Sequence, residues 1–347
     1  MVILFLANKN NMAIKKYSVW KIIMPVWFYI FLGVVVNCLW GTAFLVPYYL
    51  TDINPVAIAI GRYLIYGLVS LFLAFFMIKK LRLLTYEQWR YAFLFAFLGN
   101  VGYYLCITLS VHYGGITTTA LIESILPITM MIAGYFFGQD GDGEFDFQVL
   151  LLPIAMVLIG IVMLNQSHNA GVEFTEVNYS WYLGLFFSIS ALLLWTWYGF
   201  SNAKFLKKNP SVSSSTWSVA IGVGCFFQAI LGLGVFLMTA ENVFLSTDNI
   251  SVSIMRLVIG CLFLGVIVSW LVTVWWNQVS RYIPMMIIGP LFVFETLSSL
   301  VYGYIVDQRL PESSEVMAVL LIIGGVALSM VVTSKGLRKA TPALQGS

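Results

Sequence analysis

The chain has 347 residues, of which 60% are hydrophobic and only 10% charged, with a formal net charge of +3. So little polar surface excludes a soluble globule, and the residues left between apolar runs are too few for a sizeable water-exposed domain. Basic residues sit scattered at the ends of apolar runs rather than in a stripe, which argues against nucleic acid as a partner and leaves the lipid bilayer as the main one.

At the N-terminus, Val2 to Ala7 is apolar but too short for a signal-peptide core, and the stretch from Met12 reads as the start of translation. Residues 1–25 are expected to form a cytoplasmic lead-in. Crossing a hydrocarbon layer takes about 20 apolar residues, and the runs between charged, Gly, Pro and Asn punctuation set the spans. They predict helices at 26–49, 55–78, 89–111, 115–138 and 148–166, then 179–203, 211–238, 254–277, 283–305 and 314–334, followed by a tail over 335–347. The expected fold class is therefore an all-α integral membrane protein with ten transmembrane helices. Cys38, Cys106, Cys225 and Cys261 all fall inside apolar runs without CxxC spacing, so they read as packing residues.

Orientation follows from Lys and Arg, which are enriched in cytoplasmic loops. With the N-terminus inside, Lys9, Lys15, Lys16, Lys21, Lys79, Lys80, Arg82, Arg90, Lys204, Lys207, Lys208, Arg281, Lys335, Arg338 and Lys339 all become cytoplasmic, and only Arg256 and Arg309 lie outside. The segment holding Asp140, Asp142, Glu144 and Asp146 carries no base, but acids contribute little to this rule. Both termini are expected in the cytoplasm, with the chain in the inner membrane.

The sequence also resembles itself. Leu39-Trp40 with Asn54-Pro55 recurs as Leu194-Trp195 with Asn209-Pro210 at an offset of 155, and Pro127 with Glu144 recurs as Pro290 with Asp307 at an offset of 163. Two halves of five helices, 26–166 and 179–334, would face opposite ways because five is odd, which makes an inverted repeat.

These residues resemble a known family. Asn37-Cys38-Leu39-Trp40-Gly41-Thr42, Asn54-Pro55, Gly61-Arg62-Tyr63-Leu64, Leu126-Pro127 and Gly289-Pro290 are similar to an EamA-type member of the drug/metabolite transporter superfamily. Within it, Ile122-Glu123 with Pro127 and Trp276-Asn277 with Pro290 look most like the aromatic amino acid exporters. The chain departs from that pattern with Trp217 at the counterpart of Arg62 and with Asp307 where a Glu is usual. The resemblance implies ten helices in two inverted repeats around a central cavity, and transport of small metabolites or drugs by alternating access. Export is usual among the most similar relatives, while others take up metabolites such as S-adenosylmethionine.

Ionisable residues at a helix centre in a membrane cost roughly 2.5–3.5 kcal/mol each, so each needs a reason. Glu123 shares a face with Thr119 and Pro127, and Glu295 with Ser298, Ser299 and Tyr302. Both acids are expected to contact substrate and to couple transport to protons. Arg62 either pairs with one of them or contacts substrate itself. His112, near an outer end, reads as a hydrated residue or a proton relay. Polar stripes through Asn100 and Tyr104, through Ser269 and Asn277, and through Tyr198 and Asn202 fit a cavity wall or interhelical glue equally well.

Trp40, Trp195, Trp270 and Trp276 lie deeper than an interfacial belt, as aromatic walls for a flat or cationic substrate would. The candidate substrate residues are thus Glu123, Glu295, Arg62, Trp40, Asn100, Tyr104, Tyr198, Trp270, Asn277 and Ser298. There is no phosphate loop for ATP, and neither HExxH nor GxSxG occurs, so an enzyme is not expected. The expectation is a monomeric, cofactor-free and metal-free secondary transporter of a small amphiphilic molecule, with an uptake carrier for a nucleoside-type metabolite or a non-transporting sensor as the alternatives.

Overall fold

The computed structural model describes residues 12–50, 52–137, 148–168, 179–239, 242–244, 250–283, 285–306, 308 and 310–343, and these are almost wholly helical. The helices are α1 (Met12–Gly41), α2 (Leu45–Tyr49), α3 (Pro55–Leu81), α4 (Tyr86–Ala96), α5 (Gly102–Glu123), α6 (Leu126–Phe137) and α7 (Gln148–His168). They continue with α8 (Tyr179–Lys208), α9 (Ser214–Met238), α10 (Ile250–Leu262), α11 (Val272–Tyr282), α12 (Met285–Leu291), α13 (Val293–Val306) and α14 (Ser313–Ala343). The first residues, the acidic segment Asp140 to Asp146 and Asp307 lie outside the described residues, as does the side chain of His112.

Six stretches are long and apolar enough to cross a membrane: Pro55–Leu81, Tyr86–Ser110, Tyr179–Lys208, Ser214–Met238, Ile250–Tyr282 and Ile288–Val306. Three shorter apolar stretches, Trp27–Gly41, Gln148–Gly160 and Ser313–Ser329, fall where the first, fifth and tenth spans are expected. The expected fourth span is divided between α5 and α6. At the ends the structure departs from the sequence reading: α1 already begins at Met12, and α14 runs on to Ala343. No proline or glycine stands between Met12 and Lys21 to stop α1, whereas α14 runs on through Gly336 and Pro342.

Local chemistry sets several helix starts. Asn54 accepts a hydrogen bond from the Val56 amide at 2.9 Å, and Pro55 follows in the first turn, where its missing N–H is no loss. Thr85 and Gln88 form a reciprocal capping box on α4, and Ser213 caps α9. The chain reverses within α5, because Ser110 and Thr119 hydroxyls are 2.7 Å apart although nine residues of straight helix would rise about 13.5 Å. The next break, at Ser124–Ile125, comes just before Pro127, whose ring and missing N–H oppose a continuous helix there.

The helices pair closely: α5 with α8, α3 with α9, α7 with α14, α6 with α12, and α1 with α13. Ser110–Ser188 at 2.5 Å and the Tyr103–Trp195 ring contact show that α5 and α8 run antiparallel. Glycines permit the closest approaches: a Cβ on Gly160 would stand 2.7 Å from the Ala318 carbonyl oxygen, and one on Gly325 would stand 2.9 Å from that of Pro153. Phe72, Phe75, Phe76, Leu152 and Leu231 project outward from the bundle, an apolar surface suited to lipid.

The two ends of the bundle are tied differently. At one end Gln88 donates to Asn209 at 3.0 Å, and Arg281 donates to the Pro210 and Val212 carbonyls. At the other, the Asn54 amide donates to Val243, and Asp52 accepts from Ser253 and pairs with Arg256 at 2.8 Å.

Candidate functional site

The polar centre forms where three helices lose their regular winding. A π-helical turn, Phe97–Val101, joins α4 to α5, and a longer one, Phe263–Leu271, joins α10 to α11. Such turns rotate the residues that follow and recur at functional sites. Here they present Tyr103 and Tyr104 from one side and Ser269 with Trp270 from the other. The third irregularity lies around Pro290, where α12 gives way to α13 and sets Glu295 in the first turn of α13, the helix end that favours negative charge.

Arg62, on α3, is buried beneath these groups. Its Nε donates to Ser269 Oγ at 2.8 Å, and its guanidinium carbon lies 4.8 Å from the centre of the Tyr104 ring and 5.3 Å from that of Tyr63. Among the described residues it forms no ion pair; the ion pair present there is Asp52–Arg256. Glu295 exerts its field on Arg62 from beyond contact distance. Glu123 closes α5, facing Glu295 and Tyr103. Both of its carboxylate oxygens are buried and lack a hydrogen-bond partner among the described residues.

Beside the charges stands an aromatic block. Trp40, Trp195 and Trp276 come from three helices and Phe292 from the break between α12 and α13, yet every pair among them is in contact, with centroids 5.3–6.2 Å apart. Tyr103 joins the block to the acids through Trp195, at 6.1 Å. Tyr198 packs on Trp195 at 4.9 Å and is buried, and the Trp270 indole N–H is buried without an acceptor.

The structure therefore brings together Arg62, Tyr104, Glu123, Glu295, Trp40 and Tyr198, with Trp270 beside Ser269. Three other sequence candidates have their polar groups engaged by protein. Asn277 is fully buried; its Oδ1 accepts from Asn202 and its Nδ2 donates to Ser218, each at 2.7 Å, while Trp217 donates to Asn202 at 2.8 Å. Asn100 donates to the Phe95 carbonyl, a group the π-helical turn leaves available. Ser298 donates to the Glu295 carbonyl. Sequence reasoning passed over Tyr63, Tyr103 and Phe292 as site residues. The one signal for them was adjacency, to Arg62, to Tyr104 and to Pro290.

Long apolar helices around a buried centre of two acids, one base and stacked aromatics define a multi-pass membrane protein. Residues 27–166 match the model of the EamA-like transporter family. The inner membrane protein YtfF of Escherichia coli (strain K12) is 25% identical over 298 residues, covering 84% of this chain and 91% of YtfF. A solved crystal structure shares the fold with a TM-score of 0.68 and 16% identity, covering 88% of this chain and 98% of that one.

Proposed function

We propose that the protein is a secondary active transporter of the drug/metabolite type, moving a small amphiphilic, amino acid-like molecule across the inner membrane by alternating access. Glu123 carries this reading: an intramembrane acid whose buried carboxylate has no base in contact among the described residues, and only the Tyr103 hydroxyl turned toward it, marks a path for protons or cations. With Glu295 opposite, the two acids exchange protons with the two sides in turn, while the aromatic block holds the apolar part of the substrate.

Ten helices in two inverted repeats fit this picture. The π-helical turns begin 166 residues apart, at Phe97 and Phe263, and the prolines beside the broken helices, Pro127 and Pro290, are 163 apart. Each half would thus contribute one unwound turn and one broken helix to a shared centre. Lys79, Lys80, Arg82, Lys207, Lys208 and Arg281 gather at the end tied by Gln88–Asn209, which supports a cytoplasmic assignment for that end and for both termini.

The test is reconstitution into liposomes with an imposed pH gradient and labelled amino acids. Wild-type protein should catalyse counterflow and gradient-driven accumulation, and Glu123→Gln should keep counterflow while losing the pH dependence. Intact pH-driven accumulation by both Glu123→Gln and Glu295→Gln would remove the coupling role of the acids.

A further inference from the structure

Arg62 is a buried charge with no acid in contact among the described residues. Its side chain is only 8% exposed, and a guanidinium cannot escape burial by giving up its proton as an acid or amine can. What surrounds it falls short of compensation. One hydroxyl accepts from Nε, and the attraction of two ring faces is weaker than the cost of taking a guanidinium out of water. Among the described residues the Tyr104 hydroxyl is a second neutral acceptor beside the guanidinium, and no carboxylate stands within ion-pair distance. Buried charges persist when they are paired, so the pairing group is expected to come from outside the chain.

The neighbourhood restricts what that group is. A guanidinium with Nε engaged still offers its Nη edge as a fork that fits the two oxygens of a carboxylate. Glu123 and Glu295 stand nearby with Arg62 as the one base, so an anion of higher charge, such as a phosphate dianion, meets net repulsion. The same two acids suit an ammonium, and the Tyr103–Trp195–Trp40 wall suits a flat apolar body.

Building on the transport reading above, we propose that Arg62 anchors the carboxylate of the substrate, which selects carboxylate-bearing molecules, α-amino acids among them, over the corresponding amines and amides. The hydroxyl of Ser269 and the rings of Tyr63 and Tyr104 hold the guanidinium ready for that contact.

The experiment uses the full chain in detergent and four probes: phenylalanine, 3-phenylpropionate, phenylalaninamide and phenethylamine. Binding is read by thermal shift and tryptophan fluorescence in wild type, Arg62→Lys and Arg62→Gln. In wild type the two carboxylates should bind at least about tenfold more tightly than the amide and the amine, because the latter leave the guanidinium unpaired. Arg62→Gln should erase that preference, and Arg62→Lys should keep part of it. Equal binding of acid and amide by wild type overturns the proposal, as does binding of none of the four, and both results stand even if the variants fail to fold. Counterflow of phenethylamine as fast as of phenylalanine sinks the anchor but leaves transport intact. A carboxylate preference without any counterflow does the reverse.

Discussion

Asn277 and Arg62 are both polar residues deep in apolar helices, and the protein treats them in opposite ways. Asn277 has both ends of its amide engaged, by Asn202 and Ser218, and Trp217 and Tyr66 extend the network to α9 and α3. Replacing Asn277 with Leu orphans two buried groups at about 1–3 kcal/mol each, so the detergent-solubilised protein should show a clearly lower Tm. Ligand affinity per folded molecule should be unchanged. Asp52 is a different kind of polar residue. Its carboxyl is held below the ordinary carboxylate range, first by the Ser253 hydroxyl and further by Arg256. Its contribution to stability is thus full above the pKa of the unfolded chain and fades as the pH falls through the lower folded value. Asp52→Asn should lower Tm slightly at neutral pH, and the difference should shrink in a thermal-melt series taken below about pH 4.

At the scale of elements, helix contact rests on small residues, and helix interruption rests on proline and π-helical turns. Gly160 faces the backbone of α14 so closely that a side chain there has nowhere to go. Gly160→Leu should separate α7 from α14 and cost about 1–3 kcal/mol or more, read as a fall in Tm and in monodisperse yield. Six of the spans were legible in the sequence because apolar length and punctuation are local properties. The π-helical turns and the helical ends at Met12 and Ala343 were not. A π-helical turn follows from how a helix is packed, and no residue type in Phe97–Val101 or Phe263–Leu271 announces it.

Across the whole molecule, the charged centre was legible because Glu123, Glu295 and Arg62 stand out against apolar neighbours. Which stripe members stay free was not, because the decisive partners are remote: Ser269 lies 207 positions from Arg62, and Ser218 lies 59 from Asn277. The sequence also left open whether Arg62 pairs with an acid, and the described structure keeps them apart. The assignment of the two ends can be checked by labelling. With Cys38, Cys106, Cys225 and Cys261 replaced by Ala, a cysteine at Asn242 should react with a membrane-impermeant maleimide added to intact cells. One at Asn209 should react only after the membrane is opened. The reverse pattern would turn the molecule over.

The aromatic block also has an optical consequence. Trp40, Trp195 and Trp276 are three of the chain's eleven tryptophans, and their indole centres lie 5.3–5.7 Å apart. At such separations indoles share excitation, so their circular dichroism contains an exciton couplet that weakens as the rings part. They sit on α1, α8 and α11, so the couplet measures the spacing of three helices at once, without any added dye. A molecule that opens and closes around this point carries its own ruler for the motion.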